Sequence, residues 1–197
     1  MKKSILFLFV IISLQFSGCG EPFPKEHNYG DRNYSLLNED GEDVKFPRII
    51  KGHIGVVGYI FTNCPDICPL TTNNMRLIRD KLKEEKIKNV EFVSVSFDPL
   101  VDTPERLKTY ADLRSIDTPD WHFLTGEEEE IGDFMKQAGI LAVIGDSTVI
   151  SEEETIYYYV HTDRISLVDP DGFVRKDYKG SEIDINEIVE DIKKLGD

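Results

Sequence analysis

The chain has 197 residues, which is enough for one ordinary domain plus an export segment and short for two domains. With 40% hydrophobic and 30% charged residues and all three aromatic types present, the composition is that of a soluble globular fold. A formal net charge of −14 without a Lys/Arg cluster argues against a nucleic-acid partner, because affinity for phosphate comes mainly from basic patches.

The N-terminus has the layout of an export signal. Lys2 and Lys3 precede an apolar run from Ile5 to Leu14, and Ser17-Gly18-Cys19 follows. The apolar run is short for a membrane span. A Cys directly after Ser-Gly resembles a bacterial lipobox. Residues 1–18 are therefore read as a lipoprotein-type signal peptide and Cys19 as the lipidated end of an exported chain, held on the periplasmic or extracytoplasmic face of a membrane. Residues 19–32, with Pro22, Pro24 and Gly30, read as a tether. Residues 33–197 read as one domain.

Within that domain, Tyr34 to Phe46 carries the turn Glu39-Asp40-Gly41 between two short strand-like stretches, which predicts a hairpin. Ile54 to Phe61 is an apolar, β-branched run expected to form a buried central strand. Pro69 to Lys86 has apolar residues near helical spacing, and Val90 to Phe97 is a second buried strand. Thr103 and Pro104 supply a cap and a first-turn proline for a helix through Leu113. A short strand at Trp121–Leu124 and a helix at Glu127–Gln137 follow; the acidic run Glu127–Glu130 sits at the positive end of that helix dipole and is expected to be solvated. Residues 138–160 read as irregular. Ile165 to Asp169 returns to strand, Asp169-Pro170-Asp171-Gly172 turns into Phe173–Tyr178, and Ile183–Leu195 closes the chain as an amphipathic helix. The order predicts an α/β, thioredoxin-like fold: a central mixed sheet flanked by helices, with an N-terminal hairpin.

Without Cys19, two cysteines remain, and Cys64 and Cys68 close too small a loop to staple a domain. Their count and placement point to chemistry. Thr62-Asn63-Cys64-Pro65-Asp66-Ile67-Cys68-Pro69 joins the first buried strand to the first helix. Residues four apart at a helix start share a face, so the two sulfurs can bridge or clamp an ion together. Helix-terminal N–H groups favour thiolate, the form that binds metal and attacks disulfides. Soft sulfur favours copper(I) and zinc, and an added imidazole suits copper in either oxidation state. Of the four histidines, His27 falls in the tether, His53 in a polar turn and His122 on a short strand, whereas His161 lies just before the strand at Ile165. In a thioredoxin-like sheet the loop before that strand comes beside the cysteine pair.

Four pieces in order carry a resemblance: Thr62-x-Cys64-Pro65-x-x-Cys68-Pro69; Val95-Ser96-Phe97-Asp98-Pro99 leading to Asp102-Thr103-Pro104; Leu124-Thr125-Gly126; and His161 ahead of Leu167-x-Asp169-Pro170-x-Gly172. Together they resemble the Sco/SenC family across residues 45–180. The resemblance implies a membrane-tethered copper chaperone of thioredoxin fold that helps load the dinuclear copper centre of cytochrome c oxidase. Carried over, Cys64, Cys68 and His161 are the ligands for copper(I) and copper(II), and Asp98 is a nearby weak or indirect contributor. The implied partner is a copper-receiving oxidase subunit or another copper carrier, and the chain is expected to act as a monomer.

The main alternative is an exported thiol–disulfide reductase using the same Cys64–Cys68 pair. Thioredoxin-type reductases, however, have Cys-x-x-Cys and a proline before the facing strand, and no proline occurs here between Pro119 and Pro170. A peroxidase of the peroxiredoxin type places a Thr three residues before its reactive cysteine, where Phe61 and Pro65 stand here. A closed zinc site is one ligand short unless Asp98 joins.

Overall fold

The structure, a computed structural model, describes residues 22–149 and 155–196. The expected signal peptide and Cys19 lie outside the described residues. The core is a six-stranded mixed sheet in the order β1-β10-β9-β4-β5-β6. Its centre is β4 (Ile54–Ile60), buried at every position as a strand covered on both faces must be. β5 (Val90–Ser96) and β6 (Trp121–Leu124) run parallel to it, with Ile60 opposite Ser96 and Val95 opposite Leu124. β9 (Ile165–Val168) is antiparallel to β4, with Ile165 opposite Gly58, and β10 (Phe173–Tyr178) is antiparallel to β9. This topology decides where the site lies. The ends of β4 and β5 and the beginning of β9 emerge at one edge of the sheet, so the three loops there meet.

Alternation along β4 separates the two helical layers. A Cβ on Gly58 would meet Met75 Sδ at 2.5 Å, so this face has only glycine's space beneath α1 (Ile67–Glu84). α4 (Ile185–Gly196) packs beside α1 on β4. The next residue, Tyr59, faces the other way, toward Phe134 of α3 (Glu128–Gln137). The expected hairpin is present as β2 (Tyr34–Leu37) and β3 (Asp43–Phe46), and α3 packs against it. α2 (Pro104–Leu113) packs on β6, its Thr103 side chain accepting from the Arg106 amide as the sequence predicts.

Four expectations are corrected. The stretch expected to be irregular over 138–160 holds two strands among its described residues: β7 (Ala142–Val149) and β8 (Thr155–His161) form a separate two-stranded antiparallel ribbon, with Ala142 opposite His161. The tether expected over 19–32 is shorter. β1 (His27–Asn28) pairs with β10 at the sheet edge, and the adjacent Tyr29 ring is buried and hydrogen-bonds Tyr59 through its hydroxyl. Finally, α1 starts at Ile67 and not at Pro69, because proline is tolerated in a first turn whose N–H groups have no intrahelical acceptor. Cys68 is therefore a helical residue. The acidic start of α3 is also less solvated than expected, since Glu130 accepts the Ser35 N–H at 2.9 Å and pairs with Arg32.

Phe134 is fully buried, and its ring meets those of Tyr29, Tyr34 and Phe46 at 5.0–5.5 Å, each edge-on, with Tyr59 behind. It joins the hairpin and the chain around β1 to the sheet. Phe134→Ala is expected to cost about 3–5 kcal/mol in urea unfolding. A loss below about 1 kcal/mol would show that this layer contributes little.

Candidate metal centre

The cysteine loop follows directly from the burial of β4. The strand ends at Ile60, and Cys64 closes a turn through its N–H to the Phe61 carbonyl at 3.2 Å. The helix begins three residues later with Asp66 at the capping position, but the Asp66 side chain makes no cap hydrogen bond. Cys64 supplies one instead: the Cys68 amide donates to its Sγ at 3.3 Å. An orphan helix-start N–H is thereby satisfied by sulfur, which favours the charged thiolate.

The loop after β5 is tied to this turn by a residue that reasoning from the sequence passed over. Asp102 accepts from the Thr62 amide at 3.0 Å, the Thr62 hydroxyl at 2.5 Å and the Ser96 hydroxyl at 2.6 Å. Arg106 adds a bond to the Thr62 hydroxyl at 2.7 Å and another to Asn63. The available signal was the spacing of Asp98 and Asp102 just ahead of a capped helix. The structural role of Asp102 depends on which loop it faces, and spacing does not contain that.

The third loop delivers His161. Its Nε2 lies 3.9 Å from Cys68 Sγ. Its Nδ1 is 3.0 Å from the Thr162 carbonyl, which can only accept, so the neutral ring carries its proton on Nδ1 and leaves the Nε2 lone pair toward the sulfurs. The ring is walled by Phe97, with centroids 4.9 Å apart, and by Phe61 at 6.1 Å. Downstream, Asp163 accepts from the Thr71 hydroxyl and from both the amide and hydroxyl of Ser181, while Arg164 donates to the Ala138 carbonyl.

The ligand atoms of Cys64, Cys68 and His161 all lie within 4.8 Å of one another, and among the described residues this is the one group of three or more such side chains with that geometry. Neither cysteine is in a disulfide. Asp98 does not join them. Its carboxylate instead accepts from Tyr157 at 2.5 Å and Tyr159 at 3.3 Å. His122 sits at the far side against Glu91, 3.5 Å away, and His27 lies on the edge strand.

The two sulfurs are electrostatically unequal. Hydrogen bonding from Cys68 pulls the Cys64 thiol down to about 3 against the opposing effect of burial; His161 and the Cys68 and Asp66 amides add to the pull. Cys68 is pushed up, first by its bond to Cys64 and then by burial. Burial lowers the His161 pKa, but its contacts with Cys64 and the Thr162 carbonyl, aided by the charges of Cys64 and Asp163, outweigh this and leave it raised. The arrangement is an outer thiolate, an inner protonated thiol and an imidazole with a fixed tautomer.

The SCO1/SenC family model matches residues 24–197. The SCO1/SenC family lipoprotein of Bacillus anthracis is 33% identical, with a TM-score of 0.72 over 84% of this chain and 94% of that one. BsSco, described as a member of the Sco family of cytochrome c oxidase assembly proteins with a disulfide switch, is 33% identical, with a TM-score of 0.68 over 88% of this chain and 96% of that one. Arabidopsis thaliana ScoI, solved with copper bound, is 25% identical, with a TM-score of 0.69 over 84% of this chain and 97% of that one. With a thioredoxin-like sheet and a family match that runs from the edge strand to the final helix, the chain belongs to the SCO1/SenC family.

Proposed function

We propose that this protein is an exported copper chaperone, lipid-anchored through Cys19 and acting as a monomer. It takes the ion on Cys64, Cys68 and His161 and passes it to a copper-receiving subunit of cytochrome c oxidase or to another copper carrier. The observation that carries the reading is the convergence of two sulfurs and one correctly oriented imidazole nitrogen from distant parts of the chain. Thiolates select a soft ion, and the imidazole suits copper in both oxidation states. Three donors leave a closed tetrahedral zinc site one short, and Asp98 has both oxygens engaged by tyrosines. The copper-bound plant relative and the oxidase-assembly relative support the same reading.

The inequality of the sulfurs gives metal uptake an order. Cys64 is the more exposed of the two, at 9% against 0% for Cys68, and is already a thiolate. An incoming ion meets Cys64 first without displacing a proton, and then releases one from Cys68. Two thiolates satisfy copper(I), while copper(II) draws more on His161. A site at the end of the sheet and open on the Cys64 side releases the ion by exchanging one ligand at a time with a partner's own.

Export is supported by the basic start, the apolar run and Ser17-Gly18-Cys19, and by the description of the B. anthracis relative as a lipoprotein. Among the described residues no helix is long and apolar enough to cross a membrane. A second reading, thiol–disulfide exchange with a client's cysteines, is favoured by the same outer thiolate and inner thiol.

Titration of the reduced full-length protein with copper is expected to give one ion per chain. Cys64→Ser and Cys68→Ser should each weaken copper(I) binding by about 100-fold or more, and His161→Ala should weaken copper(II) binding well beyond copper(I). Intact binding in all three variants would sink the assignment, and absent binding with rapid reduction of a test disulfide would assign the second reading. The lowered Cys64 pKa has a direct readout as well. The thiolate persists above its pKa, so alkylation of Cys64 by iodoacetamide in metal-free protein should change by less than about threefold between about pH 8 and about pH 5. An ordinary thiol loses about tenfold per pH unit below ~8.5, and that slope at Cys64, read by mass spectrometry, would refute the poised thiolate.

A further inference from the structure

The ribbon that ends in His161 stands outside the central sheet, and each of its strands has a single partner. Val143, Ile144, Tyr158 and Val160 are exposed, whereas on the inward face the Tyr159 ring packs edge-on against Phe61 and Phe97. A two-stranded ribbon is marginal by itself. Downstream of His161 the chain is pinned through Asp163 and Arg164. Upstream, among the described residues, the side-chain hydrogen bonds from β8 to the body of the domain other than that of His161 are those of Tyr157 and Tyr159 to Asp98. Tyr157, Tyr159 and His161 alternate along β8 and so share one face.

Asp98 is equally well fixed from its own side. It is 3% exposed; its amide donates to Ser96 Oγ at 3.0 Å, and its carbonyl accepts from the Asp102 amide at 2.8 Å. Ser96 and Asp102 are bonded to each other, and Asp102 holds Thr62 in the cysteine loop. A continuous series of hydrogen bonds therefore runs from the ribbon to the turn that presents Cys64. Both tyrosine hydroxyls donate to the Asp98 carboxylate, one to each oxygen.

We propose that Asp98 is a positioning residue, the anchor of a clasp through which Tyr157 and Tyr159 hold β8 where the His161 imidazole meets the two sulfurs. The consequence for copper(II) rests on the copper reading above, whereas the clasp itself rests on the geometry of the metal-free protein. The competing role for this carboxylate is direct donation to the ion, and the two roles separate experimentally because only the clasp runs through the tyrosines.

The test compares the full-length protein with Asp98→Ala, with the double variant Tyr157→Phe/Tyr159→Phe, and with all three substitutions combined. In reduced, metal-free protein, amide hydrogen exchange over residues 155–161 should accelerate about tenfold or more in every variant, with unchanged protection in β4 and β5. The combined variant should show no more than either parent, as expected for groups acting in one unit. Copper(II) binding should weaken about tenfold in each, while copper(I), held by two sulfurs, moves by less than about threefold. Unchanged exchange over 155–161 in the tyrosine variant would overturn the clasp. So would weaker copper(II) binding in Asp98→Ala with none in the tyrosine variant, since the carboxylate would then be a direct donor. If Asp98→Ala also loosened β4 and β5, the tyrosine variant, which leaves the buried carboxylate in place, would decide the question. Absence of copper binding by the unaltered protein would defeat the copper reading and leave the exchange result to judge the clasp.

Discussion

A buried carboxylate holds the functional edge of this domain together. Asp102 has no exposed surface, and burial pushes its carboxyl above the ordinary aspartate value although the Ser96 and Thr62 hydrogen bonds pull the other way. Such a group is tolerated only where donors surround it, and here two bonds come from Thr62 in the cysteine loop and one from Ser96 at the end of β5, with the Arg106 Nε 3.7 Å away. Removing Asp102 would leave the Thr62 amide and the Ser96 hydroxyl proton without these acceptors, so the cost extends beyond one residue. This stitch ties the cysteine turn to the loop that carries Asp98.

On that frame the site is assembled from parts of different rigidity. Both sulfurs belong to one turn and the first turn of a helix whose next turns are packed beneath Gly58. The nitrogen comes from the end of a ribbon that is exposed on much of its surface. A soft ion held by sulfur thus depends on the most constrained part of the molecule, and an ion that requires imidazole depends on the least constrained part. On the proposed copper reading, this division gives each oxidation state its own structural control.

The central sheet was legible because β4 and β5 are continuous apolar runs and the Thr103-Pro104 cap is local chemistry. The meeting of Cys64, Cys68 and His161 was legible because spacing places two sulfurs on one helix face and the Sco/SenC resemblance singles out His161 ahead of β9. The ribbon was not read. Gly139, Gly145, Asp146 and the acidic run at 152–154 resemble loop composition, and Thr155 to Val160, although rich in β-branched and aromatic residues, lacks the alternation that a half-buried strand displays. Its order depends on cross-strand pairing and on the tyrosine–Asp98 bonds, which link positions about 60 residues apart. Two-residue β1 is likewise set by its partner β10 and not by its own sequence.

The ribbon also bears on the choice between metal transfer and disulfide exchange. Both chemistries use an outer thiolate backed by an inner thiol, so the cysteines alone do not separate them. Exchange with a polypeptide client requires room beside the attacking sulfur for extended backbone, commonly supplied by free main-chain groups on the facing loop. Here the Thr162 amide is committed to the Leu141 carbonyl, and the Phe97 ring, edge-on to Tyr159 and tilted against His161, crowds the approach beside the facing loop. A metal ion needs no such groove. It needs only an opening on the Cys64 side and a nitrogen whose lone pair is already aimed, and Nδ1 bonding to Thr162 supplies the second of these. The crowding that handicaps a client peptide leaves a small ion unhindered, and it is this difference in size, beyond the identity of the ligands, that favours copper transfer.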